Sequence, residues 1–280
     1  MAKIDFTKMV ASGNDFVIIE ARPQSIVHSP QSLAKRICDR KYGVGADGLL
    51  VLEKSKVADI RMRIFNADGS EAEMCGNGAR CVALYLSRNH QVTLPVRQAG
   101  RSPGHQIETK AGIVSFKVNK NDVSIKLTEP KNIKLDLPIK VNNHTLKVNF
   151  IDTGVPHTVI FVEGLDKIDV GGLGRKIRYH KAFVPRGTNV DFVELIDTSS
   201  IRIRTYERGV EDETLSCGTG IVAAALIAGL KLRAATHNTI KVYTQSEEIL
   251  NVYFERVGNN FRNIWLKGKV CSVFEGQWRM

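Results

Sequence analysis

CGNG at residues 75–78 returns as CGTG at residues 217–220, and each copy opens a run of small and apolar residues. The interval from 75 to 217 is 142 residues, close to half of the 280-residue chain. One cysteine in the same context in each half predicts two similar lobes that face each other across a cleft. Two thiols on opposite sides of a bound molecule could remove a proton from one face and return it to the other. The spacing therefore favours racemisation or epimerisation chemistry.

The similarity between the halves extends beyond the two cysteines. Residues 13–19 match 154–160, residues 45–51 match 187–193, and residues 61–66 match 202–207, with offsets of 141 or 142 residues. Four matched segments in the same order indicate a duplicated domain, because a solenoid repeats at a much shorter period. We predict a first lobe at 1–118, completed by residues 270–280, and a second lobe at 119–269.

The pattern of apolar residues predicts the elements of each lobe. Short runs rich in Val, Ile and Phe indicate strands at 16–19, 49–52, 61–65, 202–206 and 270–274. An amphipathic spacing indicates a helix over 32–41, and QAGRSPGHQ at 98–106 indicates a loop. Residues 77–86 and 218–230 are apolar on nearly all sides, which predicts two buried central helices. The predicted fold class is α/β (α+β), with a mostly antiparallel sheet wrapped around a buried helix in each lobe.

Composition and charge pattern argue against several classes of function. The net charge of +11 would suit nucleic acid, but acidic residues interrupt the basic ones, only 7% of residues are aromatic, and no recognition motif accompanies them. No apolar run approaches the roughly 20 residues of a membrane span, and the first residues lack a signal-peptide pattern. Five cysteines without a C-x-x-C pair fit free thiols in a reducing compartment. We therefore predict a cytoplasmic protein with neither a nucleic-acid nor a membrane partner.

The repeated cysteines stand at predicted helix starts. There, unpaired backbone N–H groups and the positive end of the helix dipole favour a thiolate and can also bind a carboxylate. A thiol and a thiolate are needed at the same time, so the two environments must differ. A lone cysteine is commonly structural, and we assign that role to Cys38, Cys81 and Cys271. Repetition makes Cys75 and Cys217 the candidate acid–base pair.

Further polar side chains fall in or beside the repeated segments, and each also has an ordinary structural interpretation. They are Asn14, Asn66, His157, Asn189, Glu207 and Arg208. The arginine could bind a second carboxylate with a bidentate fork, although Glu-Arg is often a surface ion pair. The asparagines could orient ammonium and carboxylate groups, although asparagine often forms turns. GVGADG at 43–48 follows a helix and precedes a strand, the reverse of the dinucleotide fingerprint, and no zinc spacing occurs.

In combination, these motifs resemble the diaminopimelate epimerase family. They are GNDFV from Gly13, FNADGSEAEMCGNGARC from Phe65, GTNVDFV from Gly187 and YERGVEDETLSCGTG from Tyr206. The resemblance implies PLP-independent interconversion of LL- and meso-diaminopimelate, a step towards lysine and peptidoglycan. It also implies two α/β lobes with the active site in the cleft between them, a homodimer, and no cofactor or metal.

The resemblance also assigns roles to residues. It makes Cys75 and Cys217 the catalytic acid–bases and gives His157 and Glu207 assisting roles near the reacting centre. The reacting carboxylate would be bound by the backbone amides of Gly76, Asn77, Gly218 and Thr219. The rest of the substrate would be held by the side chains of Asn14, Asn66, Asn189, Glu207 and Arg208. Gly48 and Val155 stand where the family often has glutamine and asparagine. Each removes a possible side-chain hydrogen bond to the substrate, whereas the two cysteines that the reaction type depends on are both present.

Three alternatives remain open at the level of sequence. A related cofactor-independent racemase would act on another amino acid, such as proline or histidine, and would not need a second amino-acid head to be recognised. A PLP enzyme would need a Schiff-base lysine, which the paired thiols make unnecessary. A basic nucleic-acid-binding protein would show salt-dependent affinity but offers no reason for two CGxG segments.

Overall fold

The computed structural model describes residues 3–21, 29–89, 105–232 and 237–279, and it contains two compact units. Unit 1 consists of Met1–Ile125 with Gly268–Met280, and unit 2 of Lys126–Lys267. Of the predicted loop at 98–106, residues 98–104 lie outside the described residues. Within those ranges, no helix is long and apolar enough to cross a membrane.

The elements follow one another in the same order in both units. The first stretch of unit 1 contains β1 (Lys3–Ala11), β2 (Asn14–Glu20), α1 (Pro30–Ile37), β3 (Gly48–Glu53), β4 (Ile60–Asn66), β5 (Glu71–Ala72), α2 (Gly76–Asn89), β6 (His105–Thr109), β7 (Gly112–Asn119) and β8 (Asp122–Lys126). Then come β9 (Lys131–Val141), β10 (His144–Asp152), β11 (Pro156–Phe161), α3 (Val170–Arg178), β12 (Asn189–Leu195), β13 (Ser200–Glu207), β14 (Asp212–Thr214), α4 (Gly218–Lys231), β15 (His237–Tyr243), β16 (Ile249–Val257) and β17 (Asn260–Lys269). The chain ends with β18 (Cys271–Arg279), which belongs to unit 1.

The two sheets have the same topology. In unit 1 the strands lie in the order β18, β1, β2, β3, β4, β6, β7, β8, with the short β5 also beside β4. In unit 2 the order is β9, β10, β11, β12, β13, β15, β16, β17, with β14 beside β13. Two neighbouring pairs in each sheet are parallel, β2–β3 and β4–β6 in unit 1, β11–β12 and β13–β15 in unit 2. Each parallel pair is joined by a crossover that contains a helix, as parallel pairing requires. The predicted duplication is therefore confirmed by the strand pairing.

Helices cover both faces of the strands in each unit. Because successive residues of a strand point to opposite sides, neighbouring residues contact different helices. Val17, Leu49 and Val51 pack with α1 on one face. Leu50, between two of these, approaches α2 at Gly78 on the other face. In unit 2, Val190 and Phe192 pack in the core that includes residues of α3, whereas Asp191 approaches α4 at Gly220. The faces under α2 and α4 are therefore the ones that meet the repeated CGxG segments.

The two central helices differ in how apolar they are. Every residue of α4 from Gly220 to Leu230 is buried, as predicted. In α2, residues 77–84 are buried as predicted, but they include a charged side chain, Arg80, which is fully buried. The Arg80 guanidinium donates to Ser12 Oγ and to Asn77 Oδ1, both at 2.7 Å. These hydrogen bonds offset the cost of burying the charge and fix the Asn77 side chain.

Helix α1 begins and ends earlier than the predicted 32–41. Ser29 caps its first turn by accepting from the Ser32 N–H, and Pro30 occupies the first helical position, where proline is favoured. Beyond Ile37 the Asp39 carboxylate accepts from the backbone N–H groups of Lys41 and Tyr42, each at 2.7 Å. This side-chain turn competes with continuation of the helix.

The three cysteines predicted to be structural differ in burial. Cys38 and Cys81 are buried, as expected for core residues, and burial raises the pKa of the Cys38 thiol to about 12. Cys271 is exposed on β18, an edge strand of unit 1. The prediction was wrong for Cys271, because within the described part of the chain its strand pairs with β1 alone and leaves this side chain exposed.

Candidate active site

The half-site in unit 1 is formed around Cys75, the residue before α2. Its sulfur accepts a hydrogen bond from the Gly78 N–H at 3.5 Å, and its carbonyl accepts from the Ala79 N–H at 2.9 Å. Cys75 is half-buried. The start of α2 thus presents a backbone N–H group to the Cys75 sulfur.

A charged cluster that sequence reasoning missed positions Asn14 beside this sulfur. Asn14 Oδ1 lies 3.9 Å from Cys75 Sγ, and Asn14 Nδ2 donates to Asp47 Oδ2 at 2.7 Å. Arg40 contacts both Asp15 and Asp47, at 2.8 and 2.7 Å. Because Asp47 can only accept, it fixes the Asn14 amide with its oxygen turned towards Cys75.

The same cluster contains a buried ion pair. Lys8 Nζ lies 2.7 Å from Asp15 Oδ2, with side-chain exposures of 7% and 15%, and it also donates to the Gly45 carbonyl. Burial alone would raise the pKa of Asp15, but hydrogen bonds from Arg40 and Lys8 outweigh it and hold that pKa well below its usual value. The sequence partly indicated this cluster, because Asp15 and Asp47 lie in the repeated segments. The sequence did not indicate that their partners would be Lys8 and Arg40.

Asn66 and Gly48 lie opposite each other at the ends of β4 and β3. The Asn66 side chain is exposed and donates to Ser70 Oγ at 2.9 Å, so it helps to close the turn before β5. A Cβ on Gly48 would lie 3.0 Å from the Phe65 carbonyl oxygen. The backbone here is therefore too close for a larger residue to enter without a shift.

The half-site in unit 2 is a chain of hydrogen-bonded side chains. Cys217 caps α4, and its sulfur lies 3.4 Å from Thr219 Oγ1. Thr219 Oγ1 lies 3.0 Å from His157 Nε2, and His157 Nδ1 lies 2.7 Å from Asp191 Oδ2. Thr205 Oγ1 donates to Asp191 Oδ1 at 2.8 Å. The predicted residues Cys217, Thr219 and His157 are thus brought together, and Asp191 and Thr205 are additions that the sequence did not reveal.

Asn189 is buried and supports this chain rather than projecting from it. Its Oδ1 accepts from the Arg208 N–H at 2.8 Å, and its Nδ2 donates to the Pro156 carbonyl at 3.1 Å. The same Nδ2 lies 3.4 Å from His157 Nε2. The described contacts therefore commit both ends of the amide to protein groups, and any contact with a substrate would come in addition to them.

Glu207 and Arg208 lie at and just after the end of β13. Burial raises the pKa of Glu207, although Thr214 Oγ1 donates to its carboxylate at 2.9 Å. Arg208 is half-buried and donates to the Arg186 carbonyl at 3.0 Å. Burial and the neighbouring guanidinium groups of Arg186 and Arg178 lower the pKa of Arg208. Among the described residues Arg208 forms no ion pair, so its charge is available to an anionic ligand.

The strand registers correct one of the sequence matches and reveal an asymmetry. In unit 1, Gly48 is the first residue of β3 and pairs with Phe16 and Asn66. In unit 2, the first residue of β12 is Asn189, which pairs with His157. Gly48 therefore corresponds to Asn189, an offset of 141 residues rather than the 142 assumed for the segment 45–51. In the same alignment Phe16 corresponds to His157 and Leu50 to Asp191. The polar chain of unit 2 therefore occupies positions that are apolar in unit 1.

Cys217 is expected to be a protonated thiol near neutral pH, and therefore to react slowly with alkylating reagents. Burial raises the pKa of Cys217 well above its ordinary value, and the carboxylates of Glu207 and Asp191 raise it further. Because only the thiolate reacts, alkylation of Cys217 by iodoacetamide should accelerate about tenfold per pH unit from pH 7 to pH 9. Peptide mass spectrometry after timed quenching measures the rate, and the exposed Cys271 serves as an internal check on the reagent. A rate at Cys217 that levels off below pH 9 would contradict the expectation.

Alanine at Gly220 is expected to be more damaging than alanine at the equivalent Gly78. A Cβ at Gly220 would lie 2.5 Å from Asp191 Oδ1, and that carboxylate is held by one hydrogen bond at each oxygen, from Thr205 and His157. At Gly78 the nearest atom is Leu50 Cδ2 at 3.2 Å. We expect Gly220→Ala to lower the free energy of unfolding by about 2 kcal/mol. For Gly78→Ala the better helix propensity of alanine, about 1 kcal/mol, should offset the milder contact. Urea unfolding of both variants tests the difference, and equal losses would contradict it.

Comparison with known proteins places these half-sites in context. The family model described as "Diaminopimelate epimerase" matches residues 6–133 and 149–270. The chain is 38% identical to a diaminopimelate epimerase of Aquifex aeolicus, over 98% of this chain and 97% of the relative. It is 39% identical to the enzyme of that name from Caldanaerobacter subterraneus, over 97% and 98%. A solved phenazine biosynthesis protein of the PhzF family from Bacillus anthracis has a TM-score of 0.74 at 20% identity over both full chains, which shows a shared fold.

Proposed function

Since this chain belongs to the diaminopimelate epimerase family, we propose that it interconverts LL- and meso-diaminopimelate with Cys75 and Cys217 as its two bases. The observation that carries the proposal is the repeated placement of a cysteine immediately before the central helix of each unit. A chain that folded only to be stable would not need a thiol at both helix starts.

The reaction proposed is a proton transfer at one α-carbon. One cysteine thiolate takes the α-proton, so that an S–H bond forms as the C–H bond breaks, and the other cysteine thiol delivers its proton to the opposite face. The thiols exchange roles in the reverse direction. The raised pKa of Cys217 supports its entry as the acid, with Cys75 as the base. No cofactor takes part in these steps.

Substrate binding is assigned to the groups that surround each thiol. The backbone amides of Gly76, Asn77, Gly218 and Thr219 lie in the first turns of α2 and α4, where N–H groups have no intrahelical partner and attract a carboxylate. Arg208, which has no ion-pair partner among the described residues, is suited to the distal carboxylate. We assign Asn14 and Asn66 to the substrate's polar groups and His157, Glu207 and Asn189 to the vicinity of the Cys217 thiol.

Two residues bear on how selective the enzyme is. Gly48, which pairs with Phe16, has no side chain, and Val155, two residues before His157, offers only an apolar one. We propose that recognition of the second amino-acid head depends on Arg208 instead. Family membership and the reducing environment that the free thiols require support the further proposal of a cytoplasmic homodimer that serves lysine and peptidoglycan precursor synthesis.

The deciding experiment is incubation of the protein in D₂O, without PLP, with LL-diaminopimelate and separately with proline, histidine and other single-centre amino acids. We expect formation of the meso isomer with deuterium at the α-carbon, followed by NMR and chiral chromatography. Equal or faster turnover of a single-centre amino acid would favour the rival, a related racemase, and would overturn the substrate assignment. Heat-inactivated protein is the control for spontaneous exchange.

A further inference from the structure

We infer that Asp191 is a positioning residue, which holds the His157 ring with its proton on Nδ1 and its Nε2 lone pair turned towards Thr219 and Cys217. The kinetic consequence rests on the proposed function, whereas the state of the ring does not. Asp191 makes no contact with the cysteine itself. It acts through His157, and neither the sequence motifs nor the family match assigns it a role.

The direction of each hydrogen bond follows from what its partners can donate. Asp191 and His157 are both fully buried, and their contact at 2.7 Å is short. An ionised carboxylate only accepts, so Nδ1 must carry the proton. In the neutral ring Nε2 is then an acceptor, and the Thr219 hydroxyl, 3.0 Å away, donates to it. That leaves the Thr219 oxygen to accept from the thiol of Cys217 at 3.4 Å.

A second donor points at the same ring nitrogen. Asn189 Nδ2 lies 3.4 Å from His157 Nε2. The orientation of this amide is fixed independently, because its oxygen accepts from the Arg208 N–H and its nitrogen donates to the Pro156 carbonyl. With the Asn189 N–H directed at it, Nε2 is satisfied as a lone pair, and the Thr219 hydroxyl can donate to it as well. The opposite tautomer would place donor against donor at Asn189 and acceptor against acceptor at Asp191.

The duplicated fold shows that this polar chain is not needed to build the unit. In unit 1 the positions of His157 and Asp191 are taken by Phe16 and Leu50, and the same strands and helix form around them. A buried carboxylate costs free energy unless it is paired and hydrogen-bonded. Unit 1 forms the same strand pairing with two apolar side chains at these positions. The free-energy cost of burying the Asp191 carboxylate in unit 2 therefore points to a role at the Cys217 half-site.

Asp191→Asn is the test, because it keeps the shape of the side chain. Thr205 donates to Oδ1, and we expect the asparagine to keep its carbonyl there and to turn its NH₂ group towards His157. Nδ1 must then accept, and the ring proton moves to Nε2. Long-range ¹H–¹⁵N spectra of protein labelled in histidine report the tautomer directly, with the His157 signals identified by their loss in His157→Gln. We expect Nδ1–H in the wild type and Nε2–H in Asp191→Asn, with kcat lowered roughly 100-fold and KM little changed.

The matched control is Thr158→Val, which removes another buried hydrogen bond of the same unit, the 3.0 Å contact between Thr158 Oγ1 and Thr188 Oγ1. It should lower stability while leaving the tautomer and kcat unchanged. A wild-type ring protonated on Nε2, or an Asp191→Asn variant that keeps either its tautomer or its kcat, would overturn the inference. If the wild type turns over no amino acid, the proposed function fails, and the spectra still decide the state of His157.

Discussion

Alanine at Cys75 or at Cys217 is expected to lower kcat for epimerisation by about 10³-fold, within the range that a general acid or base contributes. Each thiol serves one face of the α-carbon, so the remaining cysteine cannot replace the lost one. Both residues stand before a central helix, in contact with polar partners rather than in the helix core. Chiral chromatography of the products gives the rate, and thermal unfolding checks that each variant is folded.

Two other cysteines provide the controls for this expectation. Cys81→Ala changes a buried cysteine in the same helix that follows Cys75, and Cys271→Ala changes an exposed one. Neither should alter kcat, although the first should lower stability by the loss of buried volume. Full activity in Cys75→Ala or in Cys217→Ala would sink the two-base mechanism, whatever the substrate.

Asp15→Asn is expected to lower the free energy of unfolding by about 3 kcal/mol, because it leaves the charge of Lys8 buried without its partner. The carboxylate also accepts from Arg40 and from the Asp47 N–H, so three donors lose an ionised acceptor. Urea unfolding at pH 7 measures the loss. The same substitution at Asp166, which pairs with Arg202 but is 71% exposed, should cost less than about 1 kcal/mol.

The cost of Asp15→Asn should also depend on pH in a defined direction. The folded-state pKa of Asp15 lies below its unfolded value, which is about 3.9 for an aspartate. The stability that it contributes is therefore fully present above about pH 4 and is lost as the pH falls towards the folded-state pKa. The difference between wild type and variant should be constant from pH 5 to pH 7 and should shrink below pH 4. A difference that grows on acidification would contradict this assignment.

Periodicity and repetition predicted the parts of the fold that depend on local pattern. The central helices were predicted at 77–86 and 218–230 and run over Gly76–Asn89 and Gly218–Lys231. Helix α3 was not predicted, since glycines at 171, 172 and 174 give it a poor helix propensity. Its packing explains the sequence, because a Cβ at Gly174 would lie 2.5 Å from the Tyr206 side chain. Tertiary contact thus overrides local preference there.

The polar groups behind the half-sites could not be predicted in the same way. Asp191 stands in the quoted motif GTNVDFV, where a charged residue amid apolar neighbours on a strand was a usable signal of a buried partner. Its partners Thr205 and His157 come from other strands, and Lys8, Arg40 and Asp47 are separated in the chain by up to 39 residues. Which donor meets which acceptor depends on strand register. The sequence match between 45–51 and 187–193 gave the wrong register, because the true offset at Gly48 is one residue shorter than the match assumed.

The pairing of β18 with β1 has a consequence for the order in which the molecule is made. Unit 2 is a continuous segment, so all of its strands are synthesised before β18. Unit 1 holds the first residues of the chain and yet needs some of the last ones to complete its sheet. During synthesis β1 therefore presents an open edge that another nascent chain could join. The usual vectorial order, in which the N-terminal part finishes first, is reversed here.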